Sequence, residues 1–124
     1  KNRLAILDES SAECMISIHQ NTFSSSKYCG TQVFYGKNNE FSKFLASSVQ
    51  NSVKNFLQNE NERVIKETTK DIYLLYNAQK PCVMVECGFL SNAEELEKLK
   101  NEDYQRKMSF AIICGYVDYK TTEF

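Results

Sequence analysis

The sequence is poor in glycine and proline, with four and one among 124 residues, which excludes collagen-like and low-complexity chains. It has no long hydrophobic run either, because its apolar segments are interrupted within about seven positions, whereas a bilayer-spanning helix needs roughly 20 apolar residues. Neither charge sign dominates, with 15 basic and 16 acidic residues, so a nucleic-acid partner is not expected. These absences indicate one ordinary globular domain that does not span a membrane.

Paired cysteine motifs are also missing. The chain has five cysteines, an odd number, and no two of them form a CxxC pair. The sequence therefore predicts neither a disulfide framework nor a structural zinc site of the CxxC type. The cysteines that lie in apolar runs are expected to be small buried side chains.

Hydrophobic periodicity predicts strands that alternate with helices. The expected strands are residues 14–19, 32–35, 72–76 and 82–86, and the expected helices are residues 1–11, 40–58, 93–100 and 104–119. The segment 20–31 is expected to be an exposed loop, and Ser91 with Glu94 matches a capping box at the start of a helix. This order predicts an α/β fold with a largely parallel sheet.

Two polar residues lie at the carboxyl ends of buried strands. His19 ends the first predicted strand, and Glu86 ends the last one on the same face as Cys82 and Met84. Ligands of open α/β sheets bind at the carboxyl ends of strands, and a partly buried carboxylate there can act as a general base. On position alone, a lone histidine such as His19 is more often a structural hydrogen-bonding residue than a metal ligand, and Glu86 could equally cap the backbone amides of the turn at residues 88–90.

At these same residues the sequence resembles a known family. The strings ISIHQN (residues 16–21), GTQVFY (30–35) and VECGFLSN (85–92) are similar to those of zinc-dependent N-acetylmuramoyl-L-alanine amidases of the amidase_3 type. Within that family, the chain is most similar to the spore-cortex members, which are germination-specific and act in the muramic-δ-lactam pathway. The resemblance covers essentially the whole chain.

The resemblance implies a mixed, largely parallel sheet flanked by helices in a three-layer sandwich. It implies a peptidoglycan hydrolase that cleaves the amide between N-acetylmuramic acid and the L-alanine of the stem peptide, exported to the cell wall or spore cortex. Two histidines and a glutamate hold Zn²⁺ in the family, and a separate glutamate assists the chemistry. His19 then corresponds to the second zinc histidine and Glu86 to the catalytic carboxylate. Ser17 and Asn21 are candidates for supporting His19, although Asn21 also fits an Asx turn.

The chain departs from the family pattern in one respect. His19 is its only histidine, so the other zinc ligands are expected upstream of Lys1. The chain also opens within a helical pattern that has no N-cap. We therefore expect residues 1–124 to be the carboxyl-terminal portion of a single amidase catalytic domain, incomplete at its amino terminus. Such a portion would expose apolar surface, or a protein partner or the missing segment would cover it.

Two other hypotheses remain open from the sequence. In the first, the protein is a cysteine hydrolase in which Cys87 or Cys29 is the nucleophile and His19 the base. Strand alternation argues against Cys87, because it directs that side chain to the face opposite Glu86. In the second, the chain is a noncatalytic module that binds cell wall or another protein.

Overall fold

The computed structural model describes residues 1–123. This part of the chain forms five helices and four strands. In chain order they are α1 (Asn2–Glu9), β1 (Met15–Asn21), β2 (Gln32–Tyr35), α2 (Phe41–Phe56), β3 (Lys66–Glu67), α3 (Tyr73–Asn77), β4 (Cys82–Phe89), α4 (Ala93–Lys100) and α5 (Glu102–Thr121).

The four strands form one mixed sheet in the order β1-β4-β2-β3. Strand β4 pairs in parallel with β1 and antiparallel with β2, and β2 pairs in parallel with β3. A mixed sheet flanked by helices is the fold class expected from the sequence, and it is confirmed. Strand β1 is an edge of the described sheet, and its Ile18 side chain is 56% exposed.

The main core lies between one face of the sheet and helices α2 and α5. Alternate residues of the strands point into it, among them Val33, Val83 and Val85, each with no exposed surface. Helix α5 approaches α2 closely at Gly115, where an added Cβ would lie 2.6 Å from the Cα of Val49. Glycine is therefore required at this crossing, because no side chain fits between the two helices.

A smaller core covers the opposite face of the sheet. Helices α1 and α3 contribute Leu7 and Leu75, which pack with Cys82 of β4. The strand predicted at residues 72–76 is wrong, because Tyr73–Asn77 forms the short helix α3. Only Leu75 of this segment is deeply buried, so the segment lacks the row of alternate buried side chains that a strand would place against a core.

The sequence also missed the short strand β3. Its two residues, Lys66 and Glu67, are exposed and have no apolar pattern, so only backbone pairing with Phe34 and Tyr35 defines the strand. Another difference is that β1 runs on to Asn21, so the loop that follows it spans residues 22–31 rather than beginning at Gln20.

Candidate active site

Three polar residues lie side by side across three neighbouring strands. Glu86 of β4 is in register with His19 of β1 on one side and with Gln32 of β2 on the other. Residues in register share a face of the sheet, and their Cβ atoms lie about 4.5–5.5 Å apart. The structure therefore brings the two sequence-predicted site residues together, with Gln32 as a third member of the row.

Glu86 lies inside its strand. The sequence pattern predicted that β4 ends at Glu86, but the strand continues to Phe89, so that prediction was wrong. The added residues are held by pairing with β1, whose register shifts between His19 and Asn21 so that Asn21 faces Phe89. The irregularity of β1 beside Glu86 is typical of strands next to active sites.

The Glu86 carboxylate is half-buried and incompletely hydrogen bonded. Its Oε2 atom is buried and has no hydrogen-bond partner among residues 1–123. Burial raises the pKa of the Glu86 carboxyl, and the nearby His19 opposes part of that rise. A buried acceptor costs about 1–3 kcal/mol if nothing bonds to it, so this oxygen is suited to bind a water or a substrate group.

His19 is half-buried beside Glu86, and its side chain forms one hydrogen bond among residues 1–123. Its Nε2 atom lies 2.9 Å from the Ser17 hydroxyl, and its Nδ1 atom has no hydrogen-bond partner within the described part of the chain. The Asn21 side chain forms no hydrogen bond with His19. Instead its Oδ1 atom accepts a 2.8 Å hydrogen bond from the Thr22 amide. The structure thus brings Ser17 to His19 and leaves Asn21 at the strand end.

The two cysteines considered as nucleophiles lie in different environments. Cys87 is buried in the core on the face of the sheet opposite Glu86. Burial, with a smaller contribution from Glu86, raises the pKa of the Cys87 thiol to about 11. Cys29 is exposed in the loop of residues 22–31. A nucleophilic cysteine needs an accessible thiol of lowered pKa, and Cys87 has neither property.

A buried carboxylate fastens this loop to the end of β4. Glu95 is only 7% exposed, and its Oε1 atom accepts hydrogen bonds from the Gly30 amide at 2.8 Å and the Phe89 amide at 3.0 Å. Sequence reasoning missed Glu95. The one signal available was its position shortly after the GFLSN string, in the first turn of a helix.

The serine and asparagine of that string also hold the loop. Ser91 accepts a hydrogen bond from the Phe23 amide, and the Asn92 side chain donates one to the Ser26 carbonyl. Asn92 is also the N-cap of α4, where its side chain accepts from the Glu95 amide. The predicted capping box of Ser91 and Glu94 is therefore wrong, because the cap begins one residue later and Ser91 bonds elsewhere.

A buried amide network fixes the start of β2, next to Glu86. Thr31 has no exposed surface, and its amide and hydroxyl both bond to the Gln58 side chain, at 3.0 and 2.9 Å. The Thr31 hydroxyl also donates to the Cys87 carbonyl at 2.8 Å. Gln50 completes the network by accepting from the Val33 amide at 2.8 Å. These residues are 17 to 56 positions apart in sequence, so no local pattern could reveal them.

Residues 1–116 match the family model described as N-acetylmuramoyl-L-alanine amidase. The chain belongs to this amidase family. The amidase strings at residues 16–21 and 85–92 are the two segments that carry His19 and Glu86.

Both sequences and solved structures of amidases are similar to the chain. The germination-specific N-acetylmuramoyl-L-alanine amidase of Bacillus subtilis is 36% identical over 122 residues, a match that covers 98% of this chain and 50% of that protein. The CwlD amidase from Clostridioides difficile, solved in complex with the GerS lipoprotein, has a TM-score of 0.94 at 41% identity, over 98% of this chain and 61% of that one. An amidase from Clostridium difficile 630 has a TM-score of 0.90 at 28% identity, over 99% of this chain and 66% of that one. The chain thus spans about half the length of the Bacillus relative.

Amidases of this family are generally zinc-dependent. Residues 1–123 contain no group of three or more His, Cys, Asp and Glu side chains that could hold a metal ion. A catalytic zinc site uses three protein ligands, so His19 and Glu86 do not form one by themselves. In the same part of the amidase chain, no helix is long and apolar enough to cross a membrane.

Proposed function

We propose that residues 1–124 belong to one amidase catalytic domain that hydrolyses the amide between N-acetylmuramic acid and the L-alanine of the peptidoglycan stem peptide. The observation that carries the proposal is the unpartnered Oε2 atom of Glu86, next to His19. Membership of the amidase family supports the same reaction.

In this proposal Glu86 moves the proton that the hydrolysis requires. Water attacks the scissile carbonyl carbon, and Glu86 accepts the proton that the water loses. The bond between that carbon and the alanine nitrogen then breaks, and Glu86 delivers the proton to the departing amine. The products are the lactyl carboxylate and a free α-amine. The raised pKa of Glu86 supports this role, because a carboxyl with a higher pKa is both a stronger base and a usable acid near neutral pH.

We propose His19 as one ligand of a catalytic zinc, supported by its hydrogen bond with Ser17 and its position beside Glu86. A neutral imidazole is a common zinc ligand, and the second ring nitrogen is oriented by a partner such as the Ser17 hydroxyl. A complete site would need further ligands from outside residues 1–123. Asn21 is left with the role of holding the strand end.

The proposed biological setting is the spore cortex, on the outer side of the cytoplasmic membrane. The 36% identical relative is named a germination-specific amidase, and the 41% identical CwlD was solved with a lipoprotein. By analogy we propose that this protein acts on cortex peptidoglycan and binds a protein partner. This proposal depends on the names of these two relatives.

The test compares the full-length protein with its Glu86→Gln variant. Zinc-supplied wild-type protein is expected to release stem peptides from muropeptides, measured as new α-amino groups and by mass spectrometry. Because general acid–base groups contribute about 10²- to 10⁴-fold, the variant should lose at least about 100-fold in kcat while it keeps the wild-type fold. Glu97→Gln, an exposed carboxylate on α4, is the matched control and should keep full activity.

Each failure of this test has its own meaning. Equal activity of wild type and Glu86→Gln would remove Glu86 from the mechanism. Muropeptide binding without any peptide release by the wild type would refute the amidase proposal and favour the noncatalytic module. Loss of activity after thiol alkylation would support the cysteine hydrolase instead.

A further inference from the structure

Arg63, between α2 and β3, is held rigidly beside the row of polar site residues. Its Nε atom donates to the Cys29 carbonyl at 2.7 Å, and its Nη1 atom donates to the Gln32 side-chain oxygen at 3.2 Å. The guanidinium carbon lies 4.8 Å from the ring centre of Phe89 and 5.9 Å from that of Tyr28. Two hydrogen bonds and two aromatic contacts thus fix a side chain that is normally flexible.

Among residues 1–123, this cation has no carboxylate partner. All four ion pairs found within residues 1–123 involve other side chains, and the Nη2 atom of Arg63 donates no hydrogen bond there. Glu60 and Glu62 line the same cleft of about 540 Å³ as Arg63, yet neither forms an ion pair with it. A guanidinium presents donors in a planar fork that matches a carboxylate, and part of this fork is unused.

The position of Arg63 relative to Glu86 defines what it could bind. Gln32 contacts Arg63 directly and is in register with Glu86 on the neighbouring strand. Strands are spaced about 4.7–4.9 Å apart, so one strand spacing plus the Gln32 side chain separates the two groups by roughly 10 Å. An extended peptide advances about 3.3–3.6 Å per residue. If the scissile amide lies at Glu86, the peptide therefore extends beyond its first residue before it reaches Arg63.

A purely structural role does not account for all of these contacts. The Nε bond and the ring contacts are sufficient to hold the loop of residues 22–31 against Phe89. They leave the Nη2 edge without an acceptor among residues 1–123, so it can bind a group of a ligand. An anionic group of a ligand would supply both the acceptor and the charge.

We propose that Arg63 binds a free carboxylate of the substrate, that of the D-glutamyl residue which follows L-alanine in the stem peptide. In that residue the peptide chain continues through the side-chain carboxyl. The α-carboxylate is therefore free to accept hydrogen bonds from the Arg63 guanidinium. This inference rests on the proposed function, because it takes the stem peptide as the ligand. Arg63 is then a specificity residue for the part of the substrate that leaves as the amine.

The test measures binding rather than turnover. The probes are the dipeptide L-alanyl-γ-D-glutamate and its α-amide, L-alanyl-D-isoglutamine, titrated into the full chain and followed by the ¹⁵N–¹H signal of Arg63 Nε and by calorimetry. Loss of a charge-assisted hydrogen bond predicts that the acid binds about tenfold more tightly than the amide. Arg63→Gln should bind both probes equally, and Arg63→Lys should keep only part of the preference.

Lys98→Gln is the control, because Lys98 lines the same cleft and has no part in the proposed contact. It should keep the tenfold preference, and backbone spectra show whether each variant is folded. Equal affinity of wild type for the two probes, no detectable binding of the acid, or a preference that survives in Arg63→Gln would each overturn the proposal. Failure of the proposed function is separate, since it appears as absence of peptide release whether or not the acid is preferred.

Discussion

Replacing Glu95 with alanine removes the acceptor that joins the loop of residues 22–31 to the end of β4. Its Oε1 atom accepts hydrogen bonds from the amides of Gly30 and Phe89 at 2.8 and 3.0 Å, and all three residues are buried. Hydrogen bonds to a charged group contribute roughly 1.5–3 kcal/mol each, which gives about 3–6 kcal/mol for both. Water can reach the Gly30 amide if the loop opens, so we expect a net loss near the lower end, about 2–4 kcal/mol. That is a large share of the roughly 5–15 kcal/mol typical of a domain.

The assay for Glu95→Ala is equilibrium urea unfolding combined with amide hydrogen exchange. The expected result is a lower unfolding midpoint with faster exchange at Gly30 and Phe89, while exchange in the core strands follows only the global loss. Glu95→Gln keeps the oxygen and loses the charge, so it should cost less than the alanine variant. Glu97→Ala is the control on the same helix, where an exposed ion pair is worth at most about 1 kcal/mol.

The result that would refute this reasoning is a Glu95→Ala protein within about 0.5 kcal/mol of wild type, the range of ordinary surface substitutions. Such a result would mean that the loop is held without the carboxylate, by its other contacts. Unchanged stability with faster exchange at Gly30 alone would also contradict the expected loss in the free energy of unfolding, because it would show that opening the loop costs almost nothing.

The remaining predictions concern the core. Gly115→Ala should destabilise the protein by about 1–3 kcal/mol in urea unfolding, because the added Cβ would meet the Val49 backbone, and a neutral result would contradict the tight helix crossing. At pH 8 iodoacetamide should modify exposed Cys29 and leave buried Cys82 and Cys87 intact, as mapped by mass spectrometry, since burial raises the thiol pKa values to about 12 and about 11. Unfolded thiols lose their protons from about pH 8.5, so these two cysteines should lower stability as the pH rises above that value toward 11 to 12, and a stability that stays flat over this range would contradict their burial.

Hydrophobic periodicity predicted most of the fold correctly. Helix α2 keeps one buried face over its length, with Leu45, Val49 and Val53 fully buried, so its pattern is strong. Strands β1, β2 and β4 were predicted for the same reason, since each has at least one side against a core. The pattern failed for α3 and β3, where few side chains are buried and tertiary packing decides the backbone.

The meeting of His19 and Glu86 was predictable because both follow apolar runs that end at one edge of a parallel pair. The position of Gln32 beside Glu86 could not be predicted, because it depends on the antiparallel pairing of β2 with β4 on the side opposite β1. Arg63, Glu95 and the other loop-holding residues act across sequence separations of up to 68 positions, which no periodicity records. The roles of these residues can be recognised only from the folded structure.

The order of strands explains why Glu86 has different neighbours on its two sides. Because β4 lies between β1 and β2, Glu86 has a histidine on one side and, on the other, a glutamine that contacts a cation. The same loop that carries the Cys29 carbonyl is fastened by Glu95, Ser91 and Asn92 directly after β4. Strand β4 therefore supplies Glu86 for the proposed chemistry, and the residues that follow it hold the surface where the proposed peptide carboxylate would bind. Loosening the loop through Glu95 should consequently weaken binding of L-alanyl-γ-D-glutamate while leaving the His19–Glu86 pairing of β1 and β4 in place.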